Sequence, residues 1–189
     1  MTKGRFYAII CSDVFLMLHH NSPRKEKGGR TIRDKIMQGR AIAQSQAQDQ
    51  SKSIPYRPQY NKITGSVTAT IVLQQINYWW HIQHRRPFYK FKSPCTHEKY
   101  REGDSWTEEL GIGTTAFNNA LKAIGAAKIT KGTSKTELLR NHLVIYWTDR
   151  DRMTWYQINE DMFAYAVYLA YCDPELLCNG WVVTYLGEL

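Results

Sequence analysis

Five hydroxyl, amide and ammonium side chains cluster within the segment TTAFNNALK: Thr114, Thr115, Asn118, Asn119 and Lys122. An asparagine amide can pair with both edge atoms of an adenine in the major groove, and a lysine can reach guanine or a phosphate. Cations gather in two other places. Arg85, Arg86, Lys90 and Lys92 lie in HRRPFYKFK, the densest basic patch in the part of the chain expected to fold. Arg150 and Arg152 lie in DRDR, with Lys128 and Lys131 upstream. Their chemistry is contact with phosphate oxygens, which gives affinity and register but no sequence information. The phenylalanines and tyrosine between the basic residues of the first patch are expected to pack inward and leave the charges outside.

Other chemistries have little support. No phosphate-binding G-x-x-x-x-G-K loop occurs, and His19 and His20 do not make the His-apolar-His metal pair of rolling-circle nicking enzymes. No serine, histidine and carboxylate grouping stands out. His81, His84, Cys95 and His97 have spacings that match no common structural zinc class. The chain therefore reads as a binding module, not an enzyme, with no metal or other cofactor.

The elements that must carry these residues begin with DSWTEELGIGTTAFNNALKAIG, Asp104 to Gly125. Ser105 and Glu108 have the S-x-x-E spacing of a capping box, so a short helix starts there and buries Trp106 and Leu110. Gly111 and Gly113 break it, and Ile112 can pin the turn. A second helix follows with Thr114 as its N-cap. Phe117, Leu121 and Ile124 recur at i, i+4 and i+7, burying one face and leaving the polar residues on the other. This is a helix-turn-helix pattern, although two amphipathic helices in an ordinary core have the same signature.

Around it, Ser66 is expected to cap a helix over Val67 to Trp80, with Gln74, Gln75 and Asn77 near its polar side and the paired tryptophans as core anchors. Phe88 to Lys92 is expected to form a small strand, AAKITKG another, and TSKTELLRN a short helix capped by Ser134. LVIYWT and MTWYQIN then make a hairpin whose charged tip is DRDR. A hairpin after a recognition helix is the wing of a winged helix, and Arg150 and Arg152 are placed to touch the backbone or minor groove. The flanking aspartates also allow a solvated tip with internal ion pairs. Asn159 caps a last helix, EDMFAYAVYLAYC, with acids in its first turn. Phe163, Ala166 or Val167, and Ala170 form its buried stripe, and Tyr165, Tyr168 and Tyr171 are expected to leave aromatic surface for self-association or a protein partner.

The expected fold is thus α+β: a winged helix-turn-helix over residues 54–159, mainly helical with a small antiparallel sheet. A basic, partly disordered extension and linker, 1–53, precedes it, and a helical extension, 160–189, follows. Hydrophobic residues at 43% are enough for a real core, and the net charge of +8 is unevenly placed. Nine basic and three acidic residues precede position 41, whereas none and five follow position 158. The glutamine and serine run QSQAQDQSKS has nothing to bury. With no evident partner before Ile54, Met37 is read as the natural start and residues 1–36 as an upstream extension. Phe6 to Leu18 is apolar but interrupted by Asp13 and too short to span a bilayer. Four unclustered cysteines suit reduced thiols. A cytoplasmic protein with no membrane association is expected.

The segments YRPQYNKITGSVTATIVLQQINYWW, PFYKFKSPC, YREGDSWTEELGIG with the following AFNNALKAIG, and VIYWTDRDRMTWYQIN resemble a group of phage- and prophage-encoded winged-helix proteins. These are similar in pattern to the N-terminal modules of phage and plasmid replication proteins. The resemblance covers roughly Ile54 to Asn159 and implies a double-stranded DNA-binding winged helix in phage replication or transcriptional regulation. The alternative is a phage-encoded adaptor that uses the same scaffold to bind a host or phage protein. The recognition face holds one lysine and no arginine, which argues against tight sequence-specific reading.

Overall fold

The computed structural model describes residues 31–47 and 54–177. The chain divides into two units, 1–31 and 32–189, and every element below belongs to the second. Helix α1 spans Ile32–Ala47. A 3-10 turn, Pro58–Tyr60, leads into α2, Asn61–Thr64, and α3, Val67–Ile82. Strand β1 is Phe88–Tyr89, and α4 and α5 are Trp106–Leu110 and Thr114–Ala123. Then come β2 at Ala127–Lys128, α6 at Lys135–Asn141, β3 at Val144–Thr148, β4 at Thr154–Ile158 and α7 at Glu160–Cys172. The fold is α+β, with a small mixed sheet ordered β1-β4-β3-β2. The hairpin β3-β4 and the pair β1-β4 are antiparallel, and β2 lies parallel to β3. The run from Phe6 to Leu18, Cys11, Cys178 and the tail beyond Leu177 lie outside the described residues.

Local signals in the sequence set the helix starts. Ser66, Ser134 and Asn159 each accept a hydrogen bond from the backbone amide three residues on. Ser105 and Glu108 make the reciprocal capping box. Gly111 ends α4 with a φ of 63°, a conformation that favours glycine. Thr114 is not the cap of α5. The extended residue Gly113 takes that place, its carbonyl accepting from the Phe117 amide at 3.0 Å, so Thr114 is the first helical residue and faces solvent.

The core joins α3, the α4-α5 pair and one face of the sheet. Trp106 stacks on Phe117 at 5.6 Å and meets Tyr156 edge-on at 5.5 Å, and all three are fully buried. Phe88 and Tyr146 flank Tyr156 on the same sheet face. Gln74, Gln75 and Asn77, expected near a polar side of α3, are buried instead. The extended segment before α2 covers that side. Gln74 accepts from the Arg57 amide at 3.0 Å and donates to the Pro55 carbonyl at 2.8 Å, which satisfies the amide inside the fold.

Residues 32–47, read in the sequence as linker without a partner, form a helix packed on α7. The contact depends on Gly39, whose position leaves no room for a Cβ against the Ala164 backbone. Ile42 and Ala43 are buried beside it. Lys35, upstream of Met37, pairs with Asp173 at 3.6 Å and lies over the Tyr168 ring, and Arg40 pairs with Asp161. Part of the basic front of the chain therefore answers its acidic end. The expected aromatic surface of α7 is largely lost: every residue from Met162 to Ala170 is buried, Tyr165 and Tyr168 included, and Tyr171 alone of the three tyrosines is half-buried.

Candidate nucleic-acid interface

Helix α5 buries Phe117, Ala120 and Leu121 and exposes Thr114, Thr115, Asn118, Asn119 and Lys122. The stack of Phe117 on Trp106 fixes which way the helix is rolled, and the capping box fixes where α4 begins. Glu108 is the tightest part of that cap. Hydrogen bonds from the Ser105 and Tyr100 hydroxyls hold its carboxyl down at about 2, and the same bond pushes the Tyr100 phenol up to about 12.

At the hairpin tip the aspartates make no ion pair with the arginines. Asp149 accepts from the Trp155 indole at 2.7 Å and from the Met153 amide at 2.9 Å, and chiefly the indole bond holds its carboxyl below the ordinary range. The Asp151 carbonyl meets His97 at 2.7 Å. Arg152 closes the turn with a φ of 61°. Arg150 and Arg152 are exposed and, among the described residues, make no ion pair. Lys128 on β2 and Lys131 in the following loop are likewise exposed.

The basic loop before and along β1 does not act as one patch. Arg86 and Lys92 are exposed and without an ion pair among the described residues. Arg85 is exposed and lies 3.4 Å from Glu160. Lys90, expected to contact phosphate, is buried at 7% exposure. Its ammonium sits 2.6 Å from Glu109, 4.5 Å from the Trp79 ring centroid and 5.2 Å from that of Trp106. Glu109 also accepts from the Trp79 indole at 3.0 and 3.1 Å and from the Gln75 amide. Alternation along the strand explains the placement, since Phe88 and Lys90 turn inward where Tyr89 turns out. Lys90 is a core residue with a complete set of partners, and the two neighbouring acids of α4 divide their work: Glu108 caps and Glu109 balances the lysine.

The inward expectation for the interleaved aromatics holds for Phe88 and Phe91 but not for Tyr89, which is 42% exposed. Tyr89 continues into Trp155 and Trp147 across three strands. Strand alternation in MTWYQIN and LVIYWT puts these two tryptophans on one face, but only the cross-strand register aligns them with Tyr89.

No family model, curated protein or solved structure matches this chain.

His81, His84, Cys95 and His97 do not converge, and among the described residues no three His, Cys, Asp or Glu side chains gather where they could hold a metal ion. Cys95 is exposed and Cys172 half-buried. No helix among the described residues is long and apolar enough to cross a membrane.

Proposed function

We propose that this chain is a winged-helix protein that binds double-stranded DNA, with α5 in the major groove and the β3-β4 hairpin as the wing. Phage or mobile-element origin, a cytoplasmic location and a role in replication or transcriptional regulation go with that reading through the resemblance described above. The order α3, β1, α4, α5, β3, β4 supports the fold, because β1 pairs with β4 and so closes the hairpin against the strand after the first helix. The insert β2-α6 between α5 and β3 is an addition to that order.

The observation that carries the function is the uncommitted state of the candidate contacts. The polar face of α5 is exposed, and none of its five side chains is tied up in a hydrogen bond or ion pair among the described residues. Arg150 and Arg152 make no ion pair among the described residues, so their guanidinium groups are available to phosphate. Duplex binding measured across a salt series tests this, since each phosphate contact adds about 0.9 to the slope of log K against log salt. Binding that is flat with salt, or absent at low salt, removes the proposal. The adaptor alternative cannot draw on Tyr165 and Tyr168, which are buried, and would have to use Tyr171 or the residues beyond Leu177.

A further inference from the structure

The core does not need three aromatic rings on the outer face of this sheet. Tyr89, Trp155 and Trp147 are successive cross-strand neighbours, on the face opposite the row of buried Phe88 and Tyr156 and half-buried Tyr146. Ring centroids along the outer row are 5.5 and 6.3 Å apart, and the two indoles lie within 8° of parallel. Tyr89 is exposed and both tryptophans are half-buried, so the row presents a continuous aromatic strip to solvent. At its β1 end the strip opens into a cleft of about 320 Å³, walled by Trp79, Tyr89, Phe91 and Trp155 and edged by Gln83 and Asp104. That volume lies at the small end of ligand sites and suits one nucleoside.

The charge around the strip narrows the occupant. Arg86 and Lys92 bracket β1, and both are exposed with no ion pair among the described residues. At the far end the Lys135 ammonium sits 4.4 Å from the Trp147 ring centroid. Rings in a row with cations at both ends match a chain of planar bases on a polyanionic backbone, because every base offers a π-face and every linkage a negative charge. A duplex hides those faces. Gln83 and the Asp104 carboxylate can accept from the exocyclic amine of a base seated in the cleft.

We propose that this cleft and the strip leading from it bind the unpaired nucleotides of single-stranded DNA, one base entering beside Tyr89 and others lying along Trp155 and Trp147. The site is separate from the polar face of α5 and does not depend on it. Titration of the full chain with a mixed-sequence 12-nucleotide single strand, followed by tryptophan fluorescence and strand anisotropy, tests the assignment. Trp79, Trp147 and Trp155 are in place to report it. Binding is expected with quenching, and Tyr89→Ala is expected to weaken it roughly 5- to 150-fold, the range for one lost stacking contact. The double variant Arg86→Gln/Lys92→Gln, both positions exposed, is expected to weaken the same complex and flatten its salt dependence. Single-strand binding unchanged in both variants overturns the proposal, as does deoxyadenosine monophosphate binding as tightly as the strand, which would make the cleft a free-nucleotide site. Tyr89-dependent strand binding in a protein that ignores duplex would uphold the strip while removing the duplex proposal. Loss of duplex binding in Asn118→Ala/Asn119→Ala, with strand binding intact, would uphold both.

Discussion

Removing both halves of the Lys90-Glu109 pair should cost the protein far less than the two single losses added together. Lys90 is 7% and Glu109 16% exposed, so neither charge can turn to water if its partner goes. Truncating one member of a buried pair typically costs about 3 to 5 kcal/mol. In Glu109→Leu the ammonium keeps the faces of Trp79 and Trp106, each worth about 1 to 2 kcal/mol when desolvated, which sets the expected loss near 3 kcal/mol. Lys90→Met keeps the aliphatic stem and leaves a carboxylate still held by Trp79 and Gln75, for an expected loss of about 2 kcal/mol. The double variant Lys90→Met/Glu109→Leu carries no buried charge, and its main cost is two donors, Gln75 and Trp79, left without an acceptor, again about 2 kcal/mol. The coupling between the sites is then about 3 kcal/mol. Urea denaturation of the four proteins, compared as a double-mutant cycle, measures it. Losses that add to within about 0.5 kcal/mol would refute the account. So would a salt dependence of duplex binding that falls by one phosphate contact in Lys90→Met, because Lys90 would then reach DNA.

Three further outcomes are expected. Gly39→Ala forces a Cβ onto the Ala164 backbone and should cost about 1 to 3 kcal/mol by parting α1 from α7; an unchanged melting temperature and unchanged protease resistance around residue 40 would count against that packing. Arg150→Ala/Arg152→Ala should lower the duplex salt slope by up to about 2 with little effect on stability, and an unaltered slope would remove the tip from the interface. The Glu108 carboxyl titrates at about 2 when folded, against 4.5 ordinarily, so its contribution to stability is whole above about pH 4.5 and is lost as pH falls toward 2. Thermal melts across that window should show a shallower acid loss in Glu108→Gln than in the parent, and parallel curves would contradict the cap's electrostatics.

Much of the fold could be read residue by residue because its signals are local. Ser66, Ser105, Ser134 and Asn159 each start a helix through a bond spanning three residues, and Phe117 and Leu121 mark the buried side of α5 through helical periodicity alone. The hairpin was legible for the same reason, since its two alternating runs are joined by a short polar tip. Where the sequence misled, a distant element had supplied cover. Gln74 looks like surface until the Pro55-Arg57 backbone takes both ends of its amide. Tyr165 and Tyr168 look like a docking face until the fold buries them, Tyr168 beneath Lys35 of α1, and the seating of α1 turns on one glycine in a stretch of weak periodicity.

The candidate interface divides along the same line. By itself the sequence determined the identity and exposure of the α5 polar face, because helical spacing tells which side chains share a side. Tertiary structure decided which cations remain available. Arg85, Arg86, Lys90 and Lys92 are equivalent in a string of letters, yet Arg85 meets Glu160, Lys90 is enclosed by Glu109 and two indoles, and Arg86 and Lys92 have no such partner among the described residues. It also decided that Tyr89, Trp155 and Trp147 stand in one row. The hairpin alone sets Trp147 beside Trp155, but the place of Tyr89 in the row is a property of register between segments more than sixty residues apart, and no local pattern encodes it.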